Sequence, residues 1–290
     1  VRGIAPVERL LERLLREWKP DAVVCTYMVY PYMLDSLASR TGRAVPYLTV
    51  VTDSFVINKS WLCSKSPLWA VTDPWTRAIM EEKGLPQDRL RVTGFPVNPV
   101  LGALAKEHPL SWKEGEPFRV LYFAQRSARH ARAELAGMLD ANPALHVTCI
   151  LGRRFRRIYP RIRDLRARYG RRLTVRGWTR RVPSYLAASH VVVGKAGGAT
   201  VHEVLAAARP MLVNFLLPGQ EEGNTRLLEK LGGGGHVPDV RALASALQEM
   251  MADGGAQWRR MHENLLRAGM TGGSGRIADL ALKLAEEHTN

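Results

Sequence analysis

Strand-like and helix-like apolar patterns alternate along this chain in two successive series, and this alternation constrains its fold more than any other feature. The first series opens with a helical repeat from Val7 to Trp18, which leads into an apolar run at 22–26. Strands that alternate with helices usually pair in parallel, so the sequence predicts an α/β protein with helices on both faces of its sheets. Further strands are predicted at 47–52, 68–71 and 89–93 in the first series, and at 118–123, 145–151, 173–175, 190–193 and 211–215 in the second.

The length of the chain, 290 residues, allows two domains of ordinary size, because single domains commonly contain about 100–150 residues. Prolines interrupt the alternation between Phe95 and Pro117, and we place the boundary between the two series there. The predicted parts are an N-terminal domain over 1–100, a linker over 101–117, a C-terminal domain over 118–275 and a terminal amphipathic helix over 276–290.

The chain is strongly basic, with 42 Lys and Arg against 27 Asp and Glu and a formal charge of +15. This excess predicts attraction to phosphates, nucleic acid or an anionic membrane surface. Thirteen arginines lie at 153–181, where Asp164 is the single acidic residue. A solvated helix face explains this tract better than a nucleic-acid site, and the sequence contains no recognised nucleic-acid-binding module. We therefore predict no nucleic-acid partner.

The three cysteines, Cys25, Cys63 and Cys149, are odd in number and lack metal-ligand spacing. This usage predicts a reduced, cytoplasmic compartment without structural disulfides. Apolar runs such as 45–51 are much shorter than the ~18 residues of a membrane-spanning helix, so contact with a membrane is expected to be peripheral. The chain opens with Val1 and shows no signal-peptide pattern, from which we expect a lost N-terminal segment or an alternative start codon.

A glycine-rich segment, 194–199, lies between the strand predicted at 190–193 and a helical run at 200–208. Such a turn brings backbone N–H groups and the positive end of a helix close to an anionic ligand, and a diphosphate fits this description. The glycines match neither the dinucleotide-binding nor the Walker pattern, so an ordinary tight turn is an equal alternative.

Glu203 lies in the first turn of the helix that is predicted to follow the glycines. A carboxylate at the carboxyl edge of a parallel sheet is well placed to accept hydrogen bonds from the ribose hydroxyls of a nucleotide. Thr200 and Glu203 also have the spacing of a capping box, in which the glutamate only satisfies N–H groups of its own helix. Spacing does not decide between the two roles.

A second polar loop, Pro218 to Asn224, follows the next predicted strand and opens another helix. Gln220 and Asn224 are four residues apart and share a helix face, which suits a ligand rich in hydroxyl groups. A polar helix start is the simpler explanation for each residue taken singly. Both loops, however, are expected at the carboxyl edge of one sheet, where ligands of open α/β folds bind.

These loops carry a resemblance to a known family. The segments 194–203 and 218–224 resemble the donor signature of the monogalactosyldiacylglycerol synthase and processive diacylglycerol glucosyltransferase family. They are similar, more distantly, to the peptidoglycan N-acetylglucosaminyltransferases that build a lipid-linked disaccharide. The segments 50–53 and 92–97, together with Trp61, resemble the lipid-acceptor domain of the same family.

The resemblance implies a GT-B fold, in which two Rossmann-like domains present parallel sheets to a cleft. It implies inverting transfer of a hexose from a UDP-sugar to a membrane lipid such as diacylglycerol, without a cofactor or a metal ion. The chain has no Asp-x-Asp pair, which agrees with metal-independent chemistry. By position, the implied donor contacts are Glu203 for the ribose; Gly197, Gly198, Ala199 and Thr200 for the diphosphate; Gln220, Glu221 and Asn224 for the sugar or its phosphate; and Gly177, Trp178 and Thr179 for the uracil.

The sequence departs from the family pattern in its acceptor half. The family's N-terminal Gly-rich turn, with the histidine usually credited as base, would precede Val1. Asp53 is the best remaining candidate for the base, although a cap for the following turn is an equal alternative. Asn58 replaces a common histidine, and 124–127 replace a second Gly-rich loop. A degenerate homologue that binds nucleotide sugar or anionic lipid without turnover is therefore the second hypothesis.

Aromatic residues near Trp61 suggest a membrane-facing surface. Trp61, Leu62, Trp69 and Trp75 have the composition of an amphipathic patch that enters a lipid headgroup layer. We assign Trp61 to acceptor or membrane contact, while core packing is the expectation for at least two of the four.

Overall fold

The computed structural model describes residues 5–107 and 110–289, so residues 1–4, 108, 109 and 290 of the predicted parts lie outside the described residues. The described residues form two compact units. One comprises Val1–Pro96 with Gly272–Asn290, and the other comprises Val97–Thr271.

The first unit contains a four-stranded parallel sheet in the order β1-β2-β3-β4. Its strands carry short apolar runs, as expected for a parallel sheet that is covered on both faces. Trp61, Trp69 and Met80 are packed together in its core. The elements are α1 (Ala5–Trp18), β1 (Val23–Cys25), α2 (Val29–Thr41), β2 (Tyr47–Val50), β3 (Leu68–Val71), α3 (Pro74–Glu82) and β4 (Leu90–Val92).

The second unit contains a six-stranded parallel sheet in the order β10-β9-β8-β5-β6-β7. Chain order runs one way from β5 to β7 and the other way from β8 to β10, so the topology reverses between β5 and β8. Ligands of open α/β sheets bind at the carboxyl ends of the strands beside such a reversal. The strands are β5 (Phe118–Phe123), β6 (Leu145–Ile150), β7 (Leu173–Arg176), β8 (Val191–Lys195), β9 (Met211–Phe215) and β10 (Gly234–His236).

Helices cover both faces of the second sheet. In the described ranges, no helix of the chain is both long and apolar enough to cross a membrane. The helices of the second unit are α4 (Val100–Glu107), α5 (Ala128–Ala141), α6 (Phe155–Ile158), α7 (Arg163–Tyr169), α8 (Val182–Ala188), α9 (Gly198–Ala206), α10 (Gln220–Lys230), α11 (Val240–Met251) and α12 (Ala256–Ala268).

The described residues of the segment predicted as a linker, 101–107 and 110–117, belong to the second unit, and the first of these ranges lies in helix α4. Helix α4 packs against α8 and α9. Trp112 is buried, and its ring meets that of Phe118 edge to face, with centroids 5.4 Å apart. The prolines that suggested a linker therefore lie in a segment that packs against the rest of the second unit.

The last helix, α13 (Gly273–Thr289), belongs to the first unit although it follows the second in sequence. It packs against β2, where Ile277 joins Leu48 and Val50 in a small core. Gly273 lies so close to the backbone that a Cβ atom there would be 2.1 Å from the carbonyl oxygen of Phe95. The terminal helix predicted over 276–290 is thus part of the first domain's own core.

All three cysteines carry free thiols. Burial raises the pKa of Cys25 to about 12 and raises that of Cys149 further, so both thiols stay protonated. Protonated, buried cysteines act as small apolar core residues.

Candidate functional site

The glycine-rich segment forms the junction between β8 and α9. Gly197 is the N-cap, in an extended conformation, and has no side chain with which to satisfy the helix's first N–H groups. Those groups, on Gly198, Ala199 and Thr200, have no intrahelical partner, because the first turn of any helix leaves its donors free. The junction therefore presents backbone donors and the positive helix end to an anion.

The start of α9 at Gly198 excludes the capping box. Thr200 lies inside the first turn and is not the N-cap, so it does not form a reciprocal cap with Glu203. Glu203 itself lies in the second turn, which corrects the predicted first-turn position. Its side chain is half-buried, and burial raises the pKa of its carboxyl group.

The second predicted loop joins β9 to α10 and is bonded to the first. Asn224, which is 0% exposed, donates from Nδ2 to the carbonyl oxygen of Ala196 at 2.9 Å. Glu221 is buried, pairs with the ammonium group of Lys195 and accepts a 2.8 Å hydrogen bond from the N–H of Leu217. The two junctions thus converge on adjacent strands at one edge of the sheet.

The structure separates Gln220 from Asn224, although they are four residues apart. Gln220 is exposed, whereas Asn224 and Glu221 are turned inward to hold the loops together. Of the three residues predicted to contact the sugar, Gln220 is the one that solvent reaches freely. Glu221 and Asn224 are buried and fix the positions of the two loops.

A cleft of about 490 Å³ opens at this edge of the second sheet. Its walls are the segments that follow β5, β6, β8 and β9, so it lies at the topological reversal. Lys195 connects it to the α9 junction, since a Cβ on Gly197 would lie 3.5 Å from the Cε atom of Lys195. The lining consists of Phe123, Ala124, Gln125, Ile150, Leu151, Gly152, Arg153, Arg154, Lys195, Phe215 and Leu217.

The residues predicted to flank the uracil, Gly177, Trp178 and Thr179, follow β7 at the same edge. Trp178 is 60% exposed, and the guanidinium group of Arg180 lies 5.6 Å from its ring centre. Because β7 is the outermost strand, these residues stand at the far end of the carboxyl edge from α9. An exposed indole there is available to stack on a planar ring.

The N-terminal part of the chain matches a known family. Residues 5–97 match the family model of monogalactosyldiacylglycerol (MGDG) synthase.

Similarity to lipid glycosyltransferases extends beyond the segment that the family model matches. A processive diacylglycerol beta-glucosyltransferase of Staphylococcus carnosus is 25% identical over 252 residues, which are 85% of this chain and 63% of that protein. The enzyme of the same name from Bacillus subtilis is 24% identical over 285 residues, 96% of this chain and 73% of that protein. The predicted resemblance is confirmed, and the chain spans about two thirds of the length of these relatives.

Solved structures share the fold. The structure of Acinetobacter baumannii MurG matches with a TM-score of 0.66 at 15% identity, over 93% of this chain and 76% of that one. UDP-GlcNAc 2-epimerase from Neisseria meningitidis, bound to UDP-GlcNAc, matches with a TM-score of 0.68 at 14% identity, over 96% of this chain and 80% of that one. The predicted GT-B-type α/β fold with two parallel sheets is confirmed.

The first unit holds Asp53 and Trp61 together in its interior. They are 0% and 2% exposed, and the indole N–H of Trp61 donates to Oδ2 of Asp53 at 2.9 Å. Asn58 caps the short turn that carries Trp61 by accepting a hydrogen bond from the N–H of Ser60. The structure corrects the assignment of Trp61 to membrane contact, because its ring packs in the core beside Trp69. The carboxylate of Asp53 in turn fixes the position of this ring.

The arginine tract is exposed, apart from Arg172, which is half-buried. The guanidinium group of Arg172 donates to the carbonyl oxygens of Leu139, Asn142 and Leu145, so this residue has a structural role. A solvated surface explains most of the tract, as the sequence predicted. Arg153 and Arg154, however, line the cleft, and sequence reasoning missed them. Their position directly after β6 was the available signal.

Proposed function

We propose that this chain is an inverting, metal-independent glycosyltransferase that moves a hexose from a UDP-sugar to diacylglycerol or a similar membrane lipid. The observation that carries the proposal is the convergence of the two donor loops at the reversal of the second sheet, joined by Asn224 and Ala196. The relatives named above supply the reaction class. The epimerase of similar fold supplies an example of this architecture holding a UDP-sugar.

In this proposal the second unit binds the donor. The N–H groups at the start of α9 bind the diphosphate, and the carboxylate of Glu203 accepts from the ribose hydroxyls. Trp178, flanked by Gly177 and Thr179, stacks on the uracil, and Gln220 contacts the sugar. The positive helix end and backbone donors stabilise the departing UDP, a role that a cation fills in other transferases.

The acceptor side is assigned to residues 5–97, the segment that the MGDG synthase family model matches, and this segment would receive the lipid hydroxyl. Transfer needs a base within hydrogen-bond reach of that hydroxyl. Asp53 was the predicted base, but its carboxylate is buried and holds the indole of Trp61. We therefore assign Asp53 a positioning role. Its burial also favours a second candidate function, a homologue that binds nucleotide sugar or anionic lipid without turnover.

The membrane is the proposed partner of the basic surface. A charge of +15 attracts the protein to anionic lipids, and the exposed arginines of the tract supply a local concentration of that charge. Association of this kind is peripheral, and we propose that it takes place on the cytoplasmic side.

Incubation with liposomes tests these functions. Protein is mixed with UDP-glucose, UDP-galactose or UDP-N-acetylglucosamine and with liposomes that contain diacylglycerol, and the lipids are analysed by mass spectrometry. A hexosyl lipid formed from one donor supports the enzyme. UDP binding by calorimetry without any product supports the binding homologue. Failure to bind UDP contradicts the enzyme and the nucleotide-sugar-binding homologue, and leaves a homologue that binds anionic lipid alone, which vesicle sedimentation tests.

A further inference from the structure

One arginine of the cleft lining, Arg154, and one arginine beside the lining, Arg126, belong to segments outside the proposed donor loops. Arg126 belongs to the loop between β5 and α5, where a Gly-rich sequence is replaced by residues 124–127. Arg154 follows β6 and is part of the cleft lining. The two segments touch, because Nη1 of Arg154 donates to the carbonyl oxygen of Gln125 at 2.5 Å.

Arg126 is held in a fixed position. Its Nη1 atom lies 3.3 Å from Oε1 of Glu134, and its guanidinium carbon lies 5.4 Å from the ring centre of Phe215, a residue of the cleft lining. Its side chain is nevertheless 26% exposed, so it is both oriented and accessible. An arginine that is already ordered loses little conformational entropy when it binds a ligand.

The carboxylate beneath Arg126 has other partners as well. Glu134, 3% exposed, accepts from the hydroxyl of Tyr122 and from Nδ2 of Asn214, the latter at 2.8 Å. Tyr122 lies on β5 and Asn214 on β9, so this buried network crosses the sheet beneath the cleft. Through Glu134, this network fixes the position of Arg126 relative to strands β5 and β9.

The charges around the cleft do not cancel. Arg126 is paired with Glu134 and Lys195 with Glu221. In the described part of the chain, no carboxylate lies within ion-pair distance of Arg153 or Arg154, whose side chains are exposed. Arg153 and Arg154 therefore bring two unneutralised positive charges to the cleft, which favours an anionic ligand, and the paired guanidinium group of Arg126 lies next to Phe215 of the lining.

We propose that the guanidinium groups of Arg126 and Arg154 bind the diphosphate of a nucleoside diphosphate sugar from the side opposite α9, in the place of a Gly-rich backbone loop. The inference rests on the proposed function and adds two side chains to its donor site. A guanidinium group donates two parallel hydrogen bonds to phosphate oxygens and carries a full positive charge, which the N–H groups of a glycine backbone lack. The ligand class is a nucleoside diphosphate or its sugar ester.

Calorimetry with UDP, uridine and inorganic pyrophosphate tests the arginine pair. Arg154→Ala should weaken UDP binding roughly ten-fold or more, the usual effect of a lost charge-assisted hydrogen bond, and leave uridine binding unchanged. Arg154→Lys keeps the charge without the bidentate geometry and should fall between wild type and Arg154→Ala. Arg126→Gln should behave like Arg154→Ala. The matched control is Arg166→Ala, an exposed arginine of α7 outside the cleft lining.

The outcomes separate this inference from the proposed function. UDP affinity that is unchanged in both arginine variants, or an equal loss for UDP and uridine, overturns the arginine pair and leaves the donor site standing. Pyrophosphate binding that depends on Arg154, in a wild-type protein that does not bind UDP, supports the anion site and overturns the proposed function. A wild-type protein that binds neither UDP nor pyrophosphate overturns both. Thermal melts confirm that each variant is folded.

Discussion

Asn224 shows how a single side chain sets the geometry of the donor site. Its amide is fully buried and joins α10 to the backbone of the glycine-rich junction through Ala196. Its Oδ1 atom has no hydrogen-bond partner among the described residues. A buried polar atom without a partner costs free energy, so the retention of an amide here fits a site in which loop position matters more than local stability.

Glu203 is predicted to lower the stability of the folded protein and to contribute to UDP binding. Burial raises the pKa of its carboxyl group, so ionised Glu203 costs the folded state free energy at neutral pH. The sign follows from linkage. Below the ordinary pKa of a glutamate, the carboxyl group of Glu203 is protonated and does not destabilise the folded state. As the pH rises through the raised pKa of the folded state, the group ionises and the free energy of unfolding falls. Glu203→Gln should therefore increase the free energy of unfolding at pH 8, measured by urea denaturation.

The same variant should bind UDP roughly ten-fold more weakly at pH 8, because an amide is a poorer acceptor for the ribose hydroxyls than a carboxylate. Wild-type affinity should fall as the pH is lowered through the raised pKa, and that of Glu203→Gln should not. Glu263→Gln, at an exposed position on α12, serves as control. A variant that gains stability and keeps its UDP affinity would remove Glu203 from the donor site.

At the scale of elements, the strands were predictable because buried parallel strands are continuous apolar runs. Nine of the ten strands of the described chain coincide with strands predicted from mainly apolar segments, but β10 does not, since its sequence is Gly-Gly-His. Its pairing with β9 depends on close backbone approach, for which a local sequence pattern gives no signal. Gly234, opposite Met211, is the point of closest contact.

Local sequence patterns also predicted only part of the donor site. The two glycine-containing loops were predictable, because Gly-rich strand-to-helix turns have a recognisable sequence. The direction of the Asn224 side chain and the approach of Arg126 and Arg154 were not, since each depends on residues far away in the chain. Glu134, which holds Arg126, is bonded to Asn214, 80 residues later.

Gly234→Ala is the prediction at this scale. Gly234 has φ +147, and a Cβ there would lie 1.8 Å from the carbonyl oxygen of Met211, which is backbone and cannot move away cheaply. We expect a loss of roughly 2–4 kcal/mol in the free energy of unfolding, measured by urea denaturation. Gly235→Ala is the matched control, because its nearest contact is the flexible side chain of Glu229 at 3.3 Å. Equal losses in the two variants would show that β10 tolerates no side chain at either position.

For the whole molecule, the distribution of charge matters more than its sum. The +15 charge is spread along the chain, but the segment 153–181 contains thirteen arginines and one acidic residue. Arg163 and Arg166 lie three residues apart on α7, are exposed, and therefore share one helix surface. If this surface meets the membrane, its charges act within a Debye length of the lipid headgroups, where each is worth about 1 kcal/mol.

Replacement of Arg163 and Arg166 by serine should therefore weaken binding to phosphatidylglycerol-containing vesicles by roughly thirty-fold at low salt, and less at high salt. Affinity for soluble UDP should not change. Replacement of Arg241 and Arg260, two exposed arginines of α11 and α12, removes the same net charge and should have a much smaller effect. Vesicle sedimentation measures the first quantity and calorimetry the second. Equal losses of vesicle binding in the two double variants would assign the attraction to net charge, and a parallel loss of UDP affinity would place α7 at the nucleotide site.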